Sequence, residues 1–391
     1  MRNTRIPKEM KESLSFLEEK GFISRKPTEA ALGLREMASD YVGSLKKLPR
    51  VRAIVLSGSA VVGNATDGSD IDLQFIVRGR SRPLEKTLFR QVVVDTLTTS
   101  EDEWRHQLEA ENAKYLTHTV PVYDPSRFFI RTQRRILREY YSPNTMKREF
   151  RRVESILDQR GESALRSVER RHLCEAALAL ESCFFQACSF LVYCHKGFPS
   201  TSLLFSEMTR IAARLGKPDW SRRAMRCLRF DLPNKAFSEI LDTYDRVVTL
   251  MRRRIDKHAH LVRRLRRLDL GPLCSETNCV QVRDKVLRSL NQKDKASAGL
   301  ALMYESHWAF FVLSPFFYLK NVDDKVPGRK VARMPFREIL ACWDEDIRQA
   351  WQRVARYDRL TPGLLRDLNE LNHEIFSFSS PKDRPVRHNV S

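Results

Sequence analysis

No apolar run in this sequence approaches the ~20 residues that a membrane-spanning helix needs. The longest apolar stretches, around Trp308–Leu319, fall well short. The N-terminus, Met1-Arg-Asn-Thr-Arg-Ile-Pro-Lys8, is basic, but no apolar segment follows it, so no signal peptide is expected. The eight cysteines, at 174, 183, 188, 194, 227, 274, 279 and 342, include no Cys-x-x-Cys pair. They are expected as buried free thiols of a cytoplasmic protein rather than as disulfides or metal ligands. There is no low-complexity tract and no convincing internal repeat. Disordered, collagen-like and disulfide-dense secreted classes are set aside.

What is abundant is positive charge. The 391 residues include 69 Lys and Arg against 49 Asp and Glu, a net +20. The excess is lopsided. Residues 1–130 hold 20 basic and 18 acidic side chains, net +2, whereas residues 131–391 hold 49 and 31, net +18. The densest run is Arg252-Arg253-Arg254, Lys257, Arg263-Arg264 and Arg266-Arg267. Such a field favours a polyanion: RNA, DNA or the phosphates of a nucleotide. A solvated helix face paired with acids is the other reading of the run.

The periodicity divides the chain in the same place. Lys8–Glu19 predicts a short helix, and apolar residues at helical spacing predict another over 28–48, stopped by Pro49. Strands are predicted at Val51–Leu56, Ile71–Val77, Gln91–Leu97 and Pro121–Tyr123, with a helix over Glu103–Leu116 between the last two. From residue 131 on, nearly everything is helical. Segments run at about 131–140, 144–159, 164–195, 201–215, 219–229, 234–268, 280–290, 295–313, 335–357 and 362–377, with breakers such as Gly161, Pro233 and Pro362 between them. The expected class is α+β: a small α/β domain with a mixed sheet, then a large all-helical domain. The expected domains are an N-terminal helical extension (1–27), a catalytic domain (28–130), a basic helical acceptor-binding domain (131–380) and a mobile tail (381–391).

The chemistry is concentrated in Leu56-Ser-Gly58-Ser59-Ala-Val-Val-Gly63-Asn-Ala-Thr-Asp-Gly68-Ser69-Asp70-Ile71-Asp72-Leu73-Gln-Phe75. Gly58-Ser59 follows a strand and opens a helix, where backbone N–H groups and a hydroxyl make a phosphate cradle. Asp70 and Asp72 are two apart at the start of a strand, so both carboxylates share one face, while Ile71, Leu73 and Phe75 point to the core. Two like charges side by side call for a cation, and oxygen ligands of this kind suit Mg²⁺, which also takes substrate phosphates. Asp95, in Gln91-Val-Val-Val-Asp95-Thr-Leu97, completes the site if its strand lies beside the Ile71 strand. Three acids around two metals suit in-line displacement at phosphorus. Taken singly, each piece also reads as surface turn chemistry or a strand-end acid. Their joint order is what points to a site.

That order resembles the nucleotidyltransferase superfamily that includes DNA polymerase β, whose signature is Gly-Ser, a spacer, then Asp-hydrophobic-Asp. Gly58, Ser59, Gly63, Ser69, Asp70, Ile71, Asp72 and Leu73 carry the likeness, which is strong over Arg52–Asp95 and extends over about 30–130. The short gap from Asp72 to Asp95 looks most like the minimal and aminoglycoside-type members with a helical C-terminal domain. The resemblance implies Asp70, Asp72 and Asp95 as catalytic metal ligands for two Mg²⁺ ions. It implies Gly58 and Ser59 as holders of the triphosphate of an NTP, with Ser69 beside them as a nucleotide-binding candidate. Arg171–Tyr193 and the His195–Pro199 turn look like the acceptor-binding helices of that group. Here, however, the domain is larger and far more basic, which fits poorly with a cationic drug and tilts the acceptor towards RNA, such as a tRNA end. Transfer to a small molecule or to a protein, as in toxin-like or regulatory members, is the alternative. A basic RNA-binding module without catalysis is a further one.

Other residues read as structural. Glu175 and Glu181 are expected as paired or surface acids, with a general-base role as the sharper option. Phe184, Phe185, Phe190, Tyr193 and the aromatics from Trp308 to Tyr318 are expected in the core. His258 and His260 share no helix face and receive no metal role. Tyr140-Tyr141, beside Arg134, Arg135 and Arg138, are the one candidate for base stacking.

Overall fold

The structure is a computed structural model that describes residues 6–45, 50–66, 68–79, 82–109, 112–197, 203–257, 262, 276–320 and 343–379. It divides into two compact units: Met1–Arg148 with Tyr193–Thr201, and Glu149–Val192 with Ser202–Ser391. The class is α+β, with the sheet confined to the first unit.

In the first unit, α1 (Lys8–Glu19) and α2 (Glu29–Ser44) precede β1 (Val51–Ser57) and the one-turn α3 (Ser59–Val62). Then come β2 (Ile71–Val77), β3 (Arg82–Phe89), β4 (Val92–Ser100) and α4 (Glu101–Glu109). A 3-10 turn (Asn112–His118) leads into β5 (Thr119–Tyr123) and α5 (Phe128–Arg138). The sheet order is β3-β4-β2-β1-β5. Among the described residues, only β2 and β4 pair in parallel; the other three pairings are antiparallel.

One row of the sheet, Val120–Leu56–Leu73–Thr96, is buried across four strands. It anchors the register, because a one-residue slip would expose every member. Within β2 the alternation shifts: Phe75 is half-buried and Ile76 is fully buried instead, beside an irregularity in the β1–β2 pairing.

Two expectations need correction here. The strand β3 was not expected at all. Its Arg82-Pro83 start and its charges suit an edge strand, which is what it is. Its hairpin to β4 is closed by Arg90 and Gln91, both at positive φ (50° and 69°), with no glycine to announce the turn. The helix expected over Glu103–Leu116 is two pieces. It starts at Glu101 because Ser100 and Glu103 form a reciprocal capping box, with each backbone N–H donated to the other's side chain at 3.1 Å.

The second unit is helical: α6 (Pro143–Glu169, which begins in the first unit), α7 (Leu173–Cys194, which ends in it), α8 (Leu204–Arg214), α9 (Asp219–Cys227), α10 (Asn234–Asp256), α11 (Glu276–Asn291), α12 (Lys295–Lys320), α13 (Glu345–Val354) and α14 (Pro362–Ser377). Gly161 does not break α6. A Cβ there would meet Asn369 Oδ1 at 2.8 Å, so the glycine lets α14 approach, and the break comes at 170–172. Among the described residues, α7 is long and apolar enough to cross a membrane, but 61% of its apolar window is buried inside the molecule. Phe184, Phe190 and Tyr193 are buried on it; Phe185 is half-buried. The rings of Phe150, Phe190 and Phe376 pack with centroids within 6.0 Å of one another. Cys183, Cys188 and Cys227 are buried free thiols, and burial pushes the first and third up to about 11. His258, His260, the run after Lys257, the side chains of 308–320 and the 381–391 tail lie outside the described residues.

Candidate metal and nucleotide site

The register of the sheet assembles the site. Thr119, Ser57, Asp72, Asp95 and Lys86 stand side by side, one from each of the five strands. Residues paired across neighbouring strands project to the same face, so this row is polar on the face where the neighbouring row is apolar on the other. Asp70, two residues before Asp72, joins the same side. Ligand oxygens of Asp70, Asp72 and Asp95 all lie within 4.8 Å of one another, and all three residues are half-buried.

Gly58 shows how closely the turn after β1 approaches this cluster. Its φ of 77° and ψ of −152° lie in a region essentially restricted to glycine. A Cβ there would also sit 2.5 Å from Asp72 Oδ2. The bare backbone of residue 58 is thus in contact with the metal-candidate carboxylate, and Ser59 opens α3 directly after it. Gly63, at φ 95°, closes α3, and its space is bounded by Pro27 and Ser24.

The turn is held from behind by groups that sequence reasoning did not single out. Arg35 of α2 is 3% exposed and donates from Nε to the Ala60 carbonyl (2.8 Å) and from Nη2 to that of Val61 (3.0 Å). A cation at the carbonyl end of α3 is favourable, although burial lowers the guanidinium's pKa. Thr28 caps α2 and also donates from its hydroxyl to the Ala65 carbonyl at 2.7 Å. Ser69 closes the intervening loop: its hydroxyl accepts from the Thr66 N–H at 3.0 Å, while its own N–H donates to the Thr66 carbonyl.

Lys86 was missed with its strand. Its Nζ lies 3.0 Å from Asp95 Oδ2, with both side chains under one-fifth exposed. Burial raises the Asp95 pKa, Lys86 pulls it back down, and the charge of Asp70 raises it again. Asp95 Oδ1 is buried with no hydrogen-bond partner among the described residues. Three carboxylates converge here within 4.8 Å, beside the Lys86 ammonium. With the orphaned Asp95 oxygen, this is a donor set that fits a hard divalent cation.

Two other candidates fall elsewhere. Tyr140 is buried and Tyr141 packs on Phe22 and Tyr193 (5.5 and 5.3 Å), so these rings form core rather than an exposed stacking platform. Glu181 is fully buried and paired with Arg229. Asp124, at the end of β5, accepts from the N–H groups of Phe128 (2.8 Å) and Ile130 (3.1 Å) and starts α5.

No protein-family profile matches this chain. No curated protein matches it either. Among solved structures it is similar to a nucleotidyltransferase-like protein from Exiguobacterium sibiricum 255-15, at 11% identity over 80% of this chain and 86% of that one, with a TM-score of 0.30. At that score the two backbones share too little for the likeness to bear on what this chain does.

Proposed function

We propose that this chain is a Mg²⁺-dependent nucleotidyltransferase that moves a nucleoside monophosphate from an NTP to an acceptor hydroxyl. The observation that carries the reading is the three-carboxylate cluster set against the side-chain-free Gly58 turn. Asp70, Asp72 and Asp95 would hold the metal. When bound, the ion would neutralise charge on the phosphate oxygens and act as a Lewis acid at phosphorus. Gly58 and Ser59 would seat the triphosphate with backbone N–H groups and a hydroxyl, and Ser69 would keep their loop closed. Lys86 would hold Asp95 in place and offer positive charge at the edge of the site. Asp95 would take the proton of the acceptor hydroxyl as that oxygen bonds to the α-phosphorus. The bond from the α-phosphorus to the β-phosphate bridge breaks, and pyrophosphate leaves.

RNA is the favoured acceptor, because residues 131–391 carry net +18. The test is label transfer from each α-labelled NTP with Mg²⁺ to RNA, protein and small-molecule fractions of a cell extract, using the wild type and Asp70→Asn. Label on RNA that the variant loses supports both the chemistry and the acceptor. Label on another fraction keeps the chemistry and removes RNA. No label, together with no Mg²⁺-NTP binding, sinks the reading.

A further inference from the structure

The helical unit contains a sealed charge cluster that nucleotidyl transfer does not use. Glu181 of α7 is fully buried, and its two oxygens are already engaged. Oε1 accepts from Arg229 Nη2. Oε2 accepts from the Tyr357 hydroxyl at 2.9 Å and lies 2.9 Å from His307 Nε2. Arg229 spends Nη1 on the Cys227 carbonyl at 2.9 Å.

Arg356 has no such arrangement. It is 1% exposed, and none of its Nε, Nη1 and Nη2 has a hydrogen-bond partner among the described residues; nor has the Nε of Arg229. All five N–H groups of one guanidinium and one of another are therefore buried without an acceptor. The ring of Phe230 covers Arg356 at 5.0 Å and blocks one of its faces. Gly299 makes room for that ring, since a Cβ there would come within 2.4 Å of it.

Both arginines sit just past a helix C-terminus, α9 and α13, at φ of 58° and 60°. Glycine ordinarily takes that left-handed position, and any other residue is strained there. The chain keeps arginine at both places and turns both side chains inward. Two guanidinium charges thus face one carboxylate. Burial and the charge of Arg229 bring the Arg356 pKa down to about 10, which leaves it charged at neutral pH.

We propose that a small monovalent anion of the halide class binds inside the helical unit against Arg356, completing this cluster. Among the described residues the two guanidinium groups carry one positive charge more than the Glu181 carboxylate offsets, so one negative charge balances them. The near-zero exposure excludes a large ligand. Water could accept hydrogen bonds but would leave the buried charge uncompensated. The inference is independent of the chemistry proposed for the first unit.

The experiment is thermal unfolding of the full chain at fixed ionic strength, exchanging gluconate for chloride or bromide. The expected result is a saturable rise in Tm of about 5 °C for the wild type and no anion dependence in Arg356→Met. Equal Tm values in gluconate and bromide, or a variant that responds like the wild type, would overturn it. Should the variant not fold, anomalous scattering from wild-type crystals soaked in bromide decides. A peak against the Arg356 guanidinium supports the site; water density or nothing there removes it.

Discussion

The two units each gather charge of one sign, and they treat it in opposite ways. In the first unit, the carboxylates of Asp70, Asp72 and Asp95 converge within 4.8 Å and remain half-buried at one end of the sheet. In the second, Arg229 and Arg356 outnumber Glu181 and are sealed to 2% and 1% exposure. Clustered charge left accessible suits an ion that comes and goes with a substrate. A sealed imbalance suits an ion taken up as the chain folds. The contrast predicts that neutralising charge in the first cluster changes activity with little effect on stability, and that the reverse holds in the second.

The largest effect is expected at the metal-candidate acids. Asp70→Asn or Asp72→Asn should lower nucleotidyl transfer by about 1,000-fold or more. Their Tm should hold or rise, because a like-charge repulsion is relieved. A variant that unfolds instead would place these carboxylates in the structural class with Glu181. Glu181→Gln supplies the mirror image. It leaves Arg229 buried without its anion, at a cost of about 3–5 kcal/mol, read as a fall in the urea midpoint. Gly58→Ala tests both properties at once. Its left-handed backbone and the 2.5 Å approach to Asp72 Oδ2 predict a loss of about 1–3 kcal/mol and about 100-fold in transfer, since an ångström of displacement suffices for that.

How much of this was visible beforehand follows from which residues announce themselves. Gly58, Asp70, Asp72 and Asp95 could be read as a set because period-two alternation and strand order are written in short β-branched runs. That the Asp95 strand lies beside the Ile71 strand was stated as a condition; the structure meets it with a parallel pairing that sets Asp95 opposite Asp72. Lys86 was hidden because its strand opens with Arg-Pro and its turn, Arg90-Gln91, lacks the usual glycine or asparagine. Arg35 was hidden for a different reason. It lies among the apolar positions of α2, and nothing in a linear sequence says that a buried guanidinium finds its carbonyls twenty-five residues away. Arg356 carries the same lesson: an arginine past a helix end reads as solvent-exposed, and only packing turns it inward.

A smaller effect should separate the first unit's stability from that of the acid cluster. Burial, joined by the charge of Lys114, lowers the His118 pKa to about 4, against about 6.5 when unfolded. The folded state therefore keeps the imidazole neutral, with Nδ1 at 3.3 Å from the Thr117 hydroxyl, where the unfolded chain would protonate it. Between pH 6.5 and about 4 the unfolded state binds the extra proton, so this group's contribution is complete above pH 6.5 and falls as pH drops through that window. Burial pushes the Glu181 pKa up, but the charge of Arg229 and the hydrogen bond from His307 hold it at about 2, so it loses its contribution only below about pH 4.5. Urea midpoints measured from pH 7.5 to 4.5 should decline in the wild type and decline less in His118→Gln. Equal slopes in the two proteins would show that His118 titrates alike folded and unfolded. The loss of stability over that range would then belong to other groups.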